Sequence, residues 1–163
     1  MIRSRILYVV LSILLISTVS ISAGEKKSIP KQVKNIKTVK HQYKHNIVMH
    51  LDSKDQKIQK VSLNNAMALI KSYGKKNIQI EIVILGAGTA IPLVFNESSP
   101  YADRIRKMVK MPNVRITACG GSMKKYKKRT GKKLTLITGV NPVPVGIARI
   151  VELSEKGYTY LHP

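Results

Sequence analysis

The chain has 163 residues, with 29 Lys and Arg against eight Asp and Glu, a formal net charge of +21, no Trp and one Cys. This length fits a single folded domain with one hydrophobic core. One cysteine excludes an internal disulfide, and eight scattered acidic residues argue against a hydrolase built on a carboxylate acid–base pair. The excess of positive charge favours anionic partners or surfaces without defining a function.

The first 23 residues have the three regions of a secretory signal peptide. Arg3 and Arg5 precede the apolar run 6–16, and mostly small residues fill 17–23. We therefore expect an exported protein, periplasmic or secreted. The alternative is an uncleaved membrane anchor, because apolar residues recur as far as Ile21 and about 20 of them would span a bilayer.

The lysine-rich segment 24–45 is predicted to be a basic linker between the leader and the domain. Charge runs of this kind are usually solvated. The apolar residues of the segment have a rough helical spacing, so contact with an anionic membrane surface is a second interpretation.

After this segment, the spacing of apolar residues predicts a strand over 46–51, a helix over 58–73 that ends at Gly74, and a strand over 77–85. The last of these becomes wholly apolar, as expected of a central parallel strand. The side chains expected on the buried face of the helix are Ile58, Val61, Ser62, Ala66, Leu69 and Tyr73, with Asn65 on the same side.

Two glycines follow that central strand. Gly86 and Gly88 match a dinucleotide-binding fingerprint only in part, since Ile91 stands where its third glycine would be needed. We expect them instead to let the backbone approach a ligand in a crevice. Segment 89–95 is predicted to be a short apolar turn or helix.

Ser99 and Pro100 are expected to cap and begin the following helix. Its buried side chains are predicted to be Tyr101, Ile105, Met108 and Val109.

Residues 114–119 alternate between apolar and polar side chains and predict a buried strand that ends at Cys119. Gly120 and Gly121 would allow a tight turn into a helix over 122–129. Segment 133–138 fits either a strand or an extended loop.

Two prolines, Pro142 and Pro144, restrict segment 139–145 to a short strand followed by a loop. A helix over 146–156 with Gly157 as its cap and an edge strand over 158–161 complete the chain. The inward residues of that helix are predicted to be Ile147, Ile150, Val151 and Ser154.

Strands and helices thus alternate, which predicts a parallel sheet between helical layers. The carboxyl ends of parallel strands meet at one edge of the sheet. Four segments are therefore expected to converge on one crevice, namely 50–53, 86–88, 119–121 and 145–146.

Cys119 is the candidate reactive group at this edge. Helix amino ends there point unpaired N–H groups into the crevice, and Lys124 and Lys125 follow closely, so both features favour a thiolate. The alternative is that Cys119 is a small buried hydrophobic residue, the commonest role of a free cysteine.

Several short segments carry a resemblance to a known family. They are, in chain order, 48–53, 63–65, 83–88, 99–102, the strand 114–119 with the sequence VRITAC, 143–146 and 150–163. In this order and spacing, residues 46–163 resemble the DsrE/DsrF-like sulfur-relay family, in particular its exported single-domain members.

The resemblance implies a three-layer α/β/α sandwich around a mainly parallel five-stranded sheet, usually assembled into homo-oligomers. It also implies that Cys119 can carry sulfur as a persulfide, with sulfur donor and acceptor proteins or small sulfur compounds as partners. No cofactor is expected. Whether the protein turns over as a sulfurtransferase is left open.

In this interpretation the N–H groups of Gly120, Gly121 and Ser122 hold negative charge on the terminal sulfur. His50 is a candidate for proton transfer, with a hydrogen-bonded structural role as the alternative. The remaining candidate binding residues are Gly86, Gly88 and Gly146.

A second hypothesis, of a different class, is a non-catalytic oligomeric protein that binds a small anion or an acidic partner. Nucleic acid is a weaker candidate, because the leader exports the chain and no basic motif is interleaved with aromatic residues. No metal site is expected, since the four histidines lack a ligand spacing with paired carboxylates. They are His41, His45, His50 and His162.

Overall fold

A computed structural model describes residues 42–163, so the predicted leader 1–23 and residues 24–41 of the predicted linker lie outside the described part. The elements in chain order are β1 (His45–Leu51), α1 (Gln56–Tyr73), β2 (Ile78–Ile84), a π-helical turn (Gly86–Ala90), a 3₁₀ turn (Ile91–Val94), α2 (Ala102–Met108), β3 (Val114–Cys119), α3 (Gly120–Thr130), β4 (Asn141–Val143), α4 (Gly146–Glu155) and β5 (Thr159–Leu161). None of the helices within residues 42–163 has both the length and the apolar character needed to span a bilayer.

The five strands form one sheet in the order β4-β3-β2-β1-β5, and every neighbouring pair is parallel. The short strands β4 and β5 lie at the two edges. Pro142 therefore occupies an edge strand, where a missing N–H donor is tolerated. The predicted parallel five-stranded sheet is confirmed.

Helices cover both faces of the sheet. Apolar side chains of α1 and α2 join the larger core cluster on one face, with Met123 and Tyr126 of α3 packed against it. On the other face, Ile150 and Leu153 of α4 pack against Val48 and Val83. The three-layer α/β/α prediction is thereby confirmed, with an uneven distribution of helices between the layers.

Because of this distribution, the chain departs toward opposite faces of the sheet after the neighbouring strands β3 and β4. The chain leaves β3 into α3 on one face and leaves β4 into α4 on the other. In open parallel sheets, ligands bind at the carboxyl ends of strands where the chain departs in opposite directions. Cys119 is the last residue of β3 and therefore lies at this point.

The buried face of α1 differs from the predicted one. Its N-cap is Asp55, whose carboxylate accepts a hydrogen bond from the N–H of Lys57 at 2.7 Å. Its buried side chains are Gln59, Ser62, Leu63, Ala66 and Ile70. The predicted inward residues Ile58, Val61 and Tyr73 are exposed, and so is Asn65.

The buried face of α4 also differs from the predicted one. Ile150 and Leu153 are buried as part of the core, but Ile147 is 54% exposed and Val151 is 52% exposed. Ser154 is exposed as well. Both helices carry apolar side chains on more than one face, so their periodicity does not identify the face that meets the sheet.

Helix boundaries also shift. Ser99 Oγ accepts a hydrogen bond from the N–H of Tyr101 at 3.3 Å, and α2 begins at Ala102 rather than at Pro100. In contrast, α3 begins at Gly120, two residues before its predicted start, and Cys119 is its N-cap residue. Segment 133–138 is a loop in which Leu136 forms one antiparallel bridge with Phe95.

A buried ion pair joins α4 to the sheet. Glu81 on β2 is 1% exposed, and both of its carboxylate oxygens accept hydrogen bonds from the guanidinium of Arg149, at 2.8 and 2.9 Å. Thr117 of β3 donates a third hydrogen bond at 2.7 Å. Burial acts to raise the pKa of Glu81, but the hydrogen bonds from Arg149 and Thr117 outweigh it and keep the pKa below its usual value.

Candidate functional site

The thiol of Cys119 lies between the amino ends of two helices. Cys119 is the N-cap residue of α3, and the first residue of α4, Gly146, packs against its Cβ. The cysteine is half-buried rather than enclosed in the core. Its alternation along β3 places it on the same face as Thr117, toward α4.

Hydrogen bonds to the sulfur favour its charged form. Partial burial acts to raise the pKa of Cys119, but the Ser122 hydroxyl and the backbone N–H groups of Gly146, Ser122 and Gly121 donate to the sulfur and lower the pKa below its ordinary value. These N–H groups belong to the first turns of α3 and α4, where no intrahelical partner satisfies them. The two helix ends therefore act together on one atom.

The approach of α4 to the cysteine requires a glycine. A Cβ atom added at Gly146 would lie 2.9 Å from Cys119 Cβ, closer than side-chain atoms normally come, and 3.4 Å from Leu85 Cβ. Gly146 thus brings its N–H within reach of the sulfur, because no side chain separates the two segments.

Gly86 is connected to the Cys119 thiol through the hydroxyl of Ser122. The N–H of Gly86 donates to Ser122 Oγ at 3.3 Å, and that hydroxyl in turn donates to Cys119. Gly86 has φ +88°, in the region that favours glycine. The end of β2 and the end of β3 are therefore connected through one serine side chain.

The glycines that follow the cysteine have different roles. A Cβ added at Gly120 would lie 3.0 Å from the carbonyl oxygen of Val143, so this glycine permits close contact with β4. The N–H of Gly121 also donates to the carbonyl oxygen of Pro144 at 3.2 Å. Lys124 and Lys125 are exposed, and the largest influences on the thiol pKa are partial burial and hydrogen bonds.

Gly88 contacts α3 and a surface cleft. It borders a surface cleft of about 230 Å³ that Lys54, Gln56 and Gln59 also line. A Cβ at Gly88 would come within 3.1 Å of the guanidinium of Arg129, which donates to the carbonyl oxygen of Ala87 at 2.6 Å. Its contacts are therefore with α3 and the cleft.

His50 belongs to a separate cluster. It lies on β1, and β2 separates that strand from β3, so about 9–10 Å of sheet intervenes. Its ring contacts Tyr160, Asp52 and His162. Burial lowers the pKa of His50, partly opposed by Asp52, whereas a hydrogen bond from His162 lowers the pKa of Asp52. The proton-transfer role remains a prediction without a direct contact to support it.

Sequence reasoning missed Glu81 and Arg149, which position the amino end of α4. A lone acidic residue within the apolar strand 78–84 was the available signal, since a buried carboxylate requires a partner. It also missed the partners of His50. Asp52 and His162 are 110 positions apart, and no local pattern predicts that they meet.

The arrangement can hold a reactive thiolate at the sheet edge. Amide and hydroxyl donors stabilise negative charge on the sulfur, and the residue is only partly buried at the sheet edge. The same donors would stabilise charge on an atom bonded to that sulfur.

Comparison with known proteins supports the fold and suggests a function. A family model described as the DsrE/DsrF-like family matches residues 46–163. No curated protein matches the chain. The chain is similar to the solved structure of MTH1491, a protein of unknown function from Methanobacterium thermoautotrophicum, with a TM-score of 0.62 and 22% identity, covering 73% of this chain and 99% of the other. At that identity the likeness shows the fold alone.

Proposed function

The chain belongs to the DsrE/DsrF-like family, and from this membership we propose that it carries sulfur as a persulfide on Cys119. At the family level the function suggested is sulfur relay. The observation that carries the proposal further is the half-buried thiol with its lowered pKa between the amino ends of α3 and α4.

The loading step transfers one sulfur atom without net oxidation. The Cys119 thiolate attacks the terminal sulfur of a donor persulfide R–S–SH, a new S–S bond forms, and the donor S–S bond breaks as R–S⁻ leaves. The proton stays on the transferred sulfur. An acceptor thiolate then attacks that sulfur, forms its own persulfide and restores the Cys119 thiolate.

Intact-mass spectrometry tests the proposal. We expect incubation with polysulfide under anaerobic conditions to add about 32 Da, the mass of one sulfur atom, at Cys119. Cys119→Ser should show no adduct. If the wild-type chain remains unmodified although free cysteine in the same solution reacts, the proposal is wrong.

Export is the second part of the proposal. We infer that the protein acts outside the cytoplasm, because residues 1–23 have a charged, an apolar and a small-residue region in the order of a signal peptide. The first residue of the protein recovered from a periplasmic fraction tests this. A start within a few residues of Gly24 supports export with cleavage, whereas recovery of the uncleaved chain in membranes supports the anchor.

Partners follow from the same proposal. They are a sulfur donor and a sulfur acceptor, as proteins or as small sulfur compounds, and further copies of the chain. The exposed apolar side chains of α4 support a homo-oligomer. Contact between the basic segment 24–45 and a membrane surface is supported by its charge alone.

An anion-binding protein is the second candidate function, because the N–H groups around Cys119 would also hold a small anion without covalent chemistry. The two candidates differ in their dependence on the sulfur atom. Cys119→Ser keeps anion binding under the second candidate and abolishes sulfur transfer under the first. Binding of thiosulfate or sulfite to both proteins, measured by calorimetry beside the mass assay, separates the candidates.

A further inference from the structure

A second cluster of chemically capable side chains lies at the far side of the sheet edge. Parallel pairing of β1 with β5 places Val48 beside Tyr160 and Met49 beside Leu161, so the residues that follow both strands meet in space. His162 Nε2 lies 3.0 Å from Asp52 Oδ1, and His50 Nε2 lies 3.6 Å from Asp52 Oδ2. The two imidazole rings stack with centroids 4.8 Å apart.

The environment of His50 points to a ligand. Its side chain is 11% exposed, and among residues 42–163 its buried Nε2 has no hydrogen-bond partner. The 3.6 Å separation from Asp52 is longer than a hydrogen bond. A buried polar nitrogen without a partner costs free energy, so a ligand that accepts its lone pair or its proton would be stabilising here.

The other ring nitrogen of His50 is already held. Nδ1 lies 2.9 Å from the hydroxyl oxygen of Tyr160. When Nδ1–H donates to that oxygen, Nε2 presents a bare lone pair toward Asp52 and His162. Metal-binding histidines are fixed in the same manner, by an oxygen that accepts from the ring nitrogen away from the metal.

We propose that His50, Asp52 and His162, which the sequence pattern did not predict to be metal ligands, form a binding site for a divalent transition-metal ion such as Zn²⁺. One ligand atom from each residue lies within 4.8 Å of the others. Atoms bound to one tetrahedral ion at about 2.0–2.2 Å lie about 3.3–3.6 Å apart, and the two oxygens of Asp52 lie 3.6 Å from His50 Nε2 and 3.0 Å from His162 Nε2, close to that spacing. Rotation of the half-exposed His162 ring toward His50 completes the triangle.

The donor set indicates the class of ion. Two imidazoles and one carboxylate suit zinc, iron or cobalt, whereas Ca²⁺ and Mg²⁺ prefer all-oxygen sites. Three protein ligands leave at least one position for water or a small ligand. The exposure of Asp52 and His162 gives that position access to solvent. The proposal does not depend on sulfur transfer at Cys119.

Calorimetric titration with ZnCl₂ tests the site, using the chain without a histidine tag and with Cys119→Ser so that the thiol contributes nothing. We expect one Zn²⁺ per chain, and an absorption band in the visible range when Co²⁺ replaces it. His50→Ala, Asp52→Asn and His162→Ala should each remove this binding. Tyr160→Phe should weaken it by about 10–100-fold, the usual effect of losing the group that orients a histidine ligand.

His45→Ala is the matched control, because His45 lies at the opposite end of β1 and its ring packs against Tyr73. It should bind Zn²⁺ as the Cys119→Ser parent does. Circular dichroism of each variant verifies that the fold is kept, and a variant that fails to fold is replaced by His50→Gln or His162→Gln. Absence of stoichiometric binding to the parent, or equal loss in the His45 control, overturns the proposal.

Discussion

Burial and hydrogen bonds act in opposite directions on the pKa of Cys119. Burial by itself would favour the neutral thiol, and the structure opposes it with one hydroxyl and three backbone N–H groups. Donors of this kind are fixed by the fold, so they need little reorganisation when the sulfur becomes charged. The exposed lysines of α3 can add a general field, but salt would screen it.

The pH dependence of alkylation measures this effect directly. Because the pKa of Cys119 is lowered, we expect half-maximal alkylation by iodoacetamide at a lower pH in the folded protein than in the same protein in urea. Ser122→Ala should raise the midpoint, since one donor to the sulfur is lost. Ser154→Ala is the control, because that hydroxyl donates to the Ile150 carbonyl within α4. Coincident curves for folded and unfolded protein would contradict the prediction.

Glu81 contributes to stability through its pairing with Arg149. Glu81→Gln removes the buried carboxylate that pairs with the Arg149 guanidinium. We expect a loss of about 3–5 kcal/mol in the free energy of unfolding. The matched control is Glu152→Gln, which removes the exposed partner of Arg149 and should cost at most about 1 kcal/mol. Urea denaturation at pH 7 measures both, and an equal loss in the two variants would contradict this account.

The same pair predicts a dependence on pH. The pKa of Glu81 is lower in the folded protein than in the unfolded chain, so its stabilising effect is present above the unfolded pKa, about 4.3, and is lost as the pH falls through the folded value. The stability difference between the wild type and Glu81→Gln should therefore narrow below about pH 4. A constant difference down to acid denaturation would show that the pair is not its source.

At the scale of elements, α4 matters most to the site. It covers one face of the sheet, its Arg149 binds Glu81, and its first residue supplies an N–H to the thiol. The loop before it contains Pro144, whose carbonyl oxygen accepts from Gly121 at the start of α3. The position of α4 therefore couples the packing of one layer to the chemistry at the sheet edge.

Gly146→Ala tests this coupling. The added Cβ would lie 2.9 Å from Cys119 Cβ, so the start of α4 must move away. We expect a loss of about 1–3 kcal/mol in stability and a higher pH midpoint for alkylation, because the N–H of residue 146 retreats from the sulfur.

Gly121→Ala is the control for that substitution. Its Cβ would make only ordinary contacts, 3.8 Å from the Pro144 oxygen and 4.0 Å from the sulfur. Its stability should stay within about 1 kcal/mol of the wild type, because alanine is also the better helix former. If both variants behave alike, close approach at residue 146 is not what positions α4.

At the scale of the whole molecule, the exposed apolar residues of α4 predict self-association. Ile147 and Val151 lie one helical turn apart and are each about half exposed. Because both side chains are apolar, they were predicted to be buried in the core. Their apolar character is explained if α4 packs one face against the core and another face against a second copy of the chain.

Sedimentation velocity checks this prediction. We expect the wild type to sediment as a homo-oligomer, and Ile147→Glu to shift it toward smaller species because a carboxylate would be buried without a partner. Ile58→Glu on α1 introduces the same charge at another exposed isoleucine and should leave the oligomer unchanged. A monomeric wild type would contradict the prediction, and dissociation by Ile58→Glu instead would place the interface on α1.

What the sequence determined by itself was local. Alternation along 114–119 predicted β3 to the residue, the strand–helix order predicted the parallel sheet, and the place of Cys119 at a strand end predicted the edge on which it lies. These features depend on the periodicity of neighbouring side chains, which the backbone of a strand or helix follows directly.

The tertiary structure decided what meets at that edge. Only strand order and the choice of face bring the N–H of Gly146 to Cys119, Arg149 to Glu81, and His162 to His50 and Asp52. The buried faces of α1 and α4 were predicted wrongly for the same reason, since an apolar stripe does not by itself identify the surface against which it packs. Contacts between segments far apart in the chain depend on packing and topology, which no local periodicity encodes.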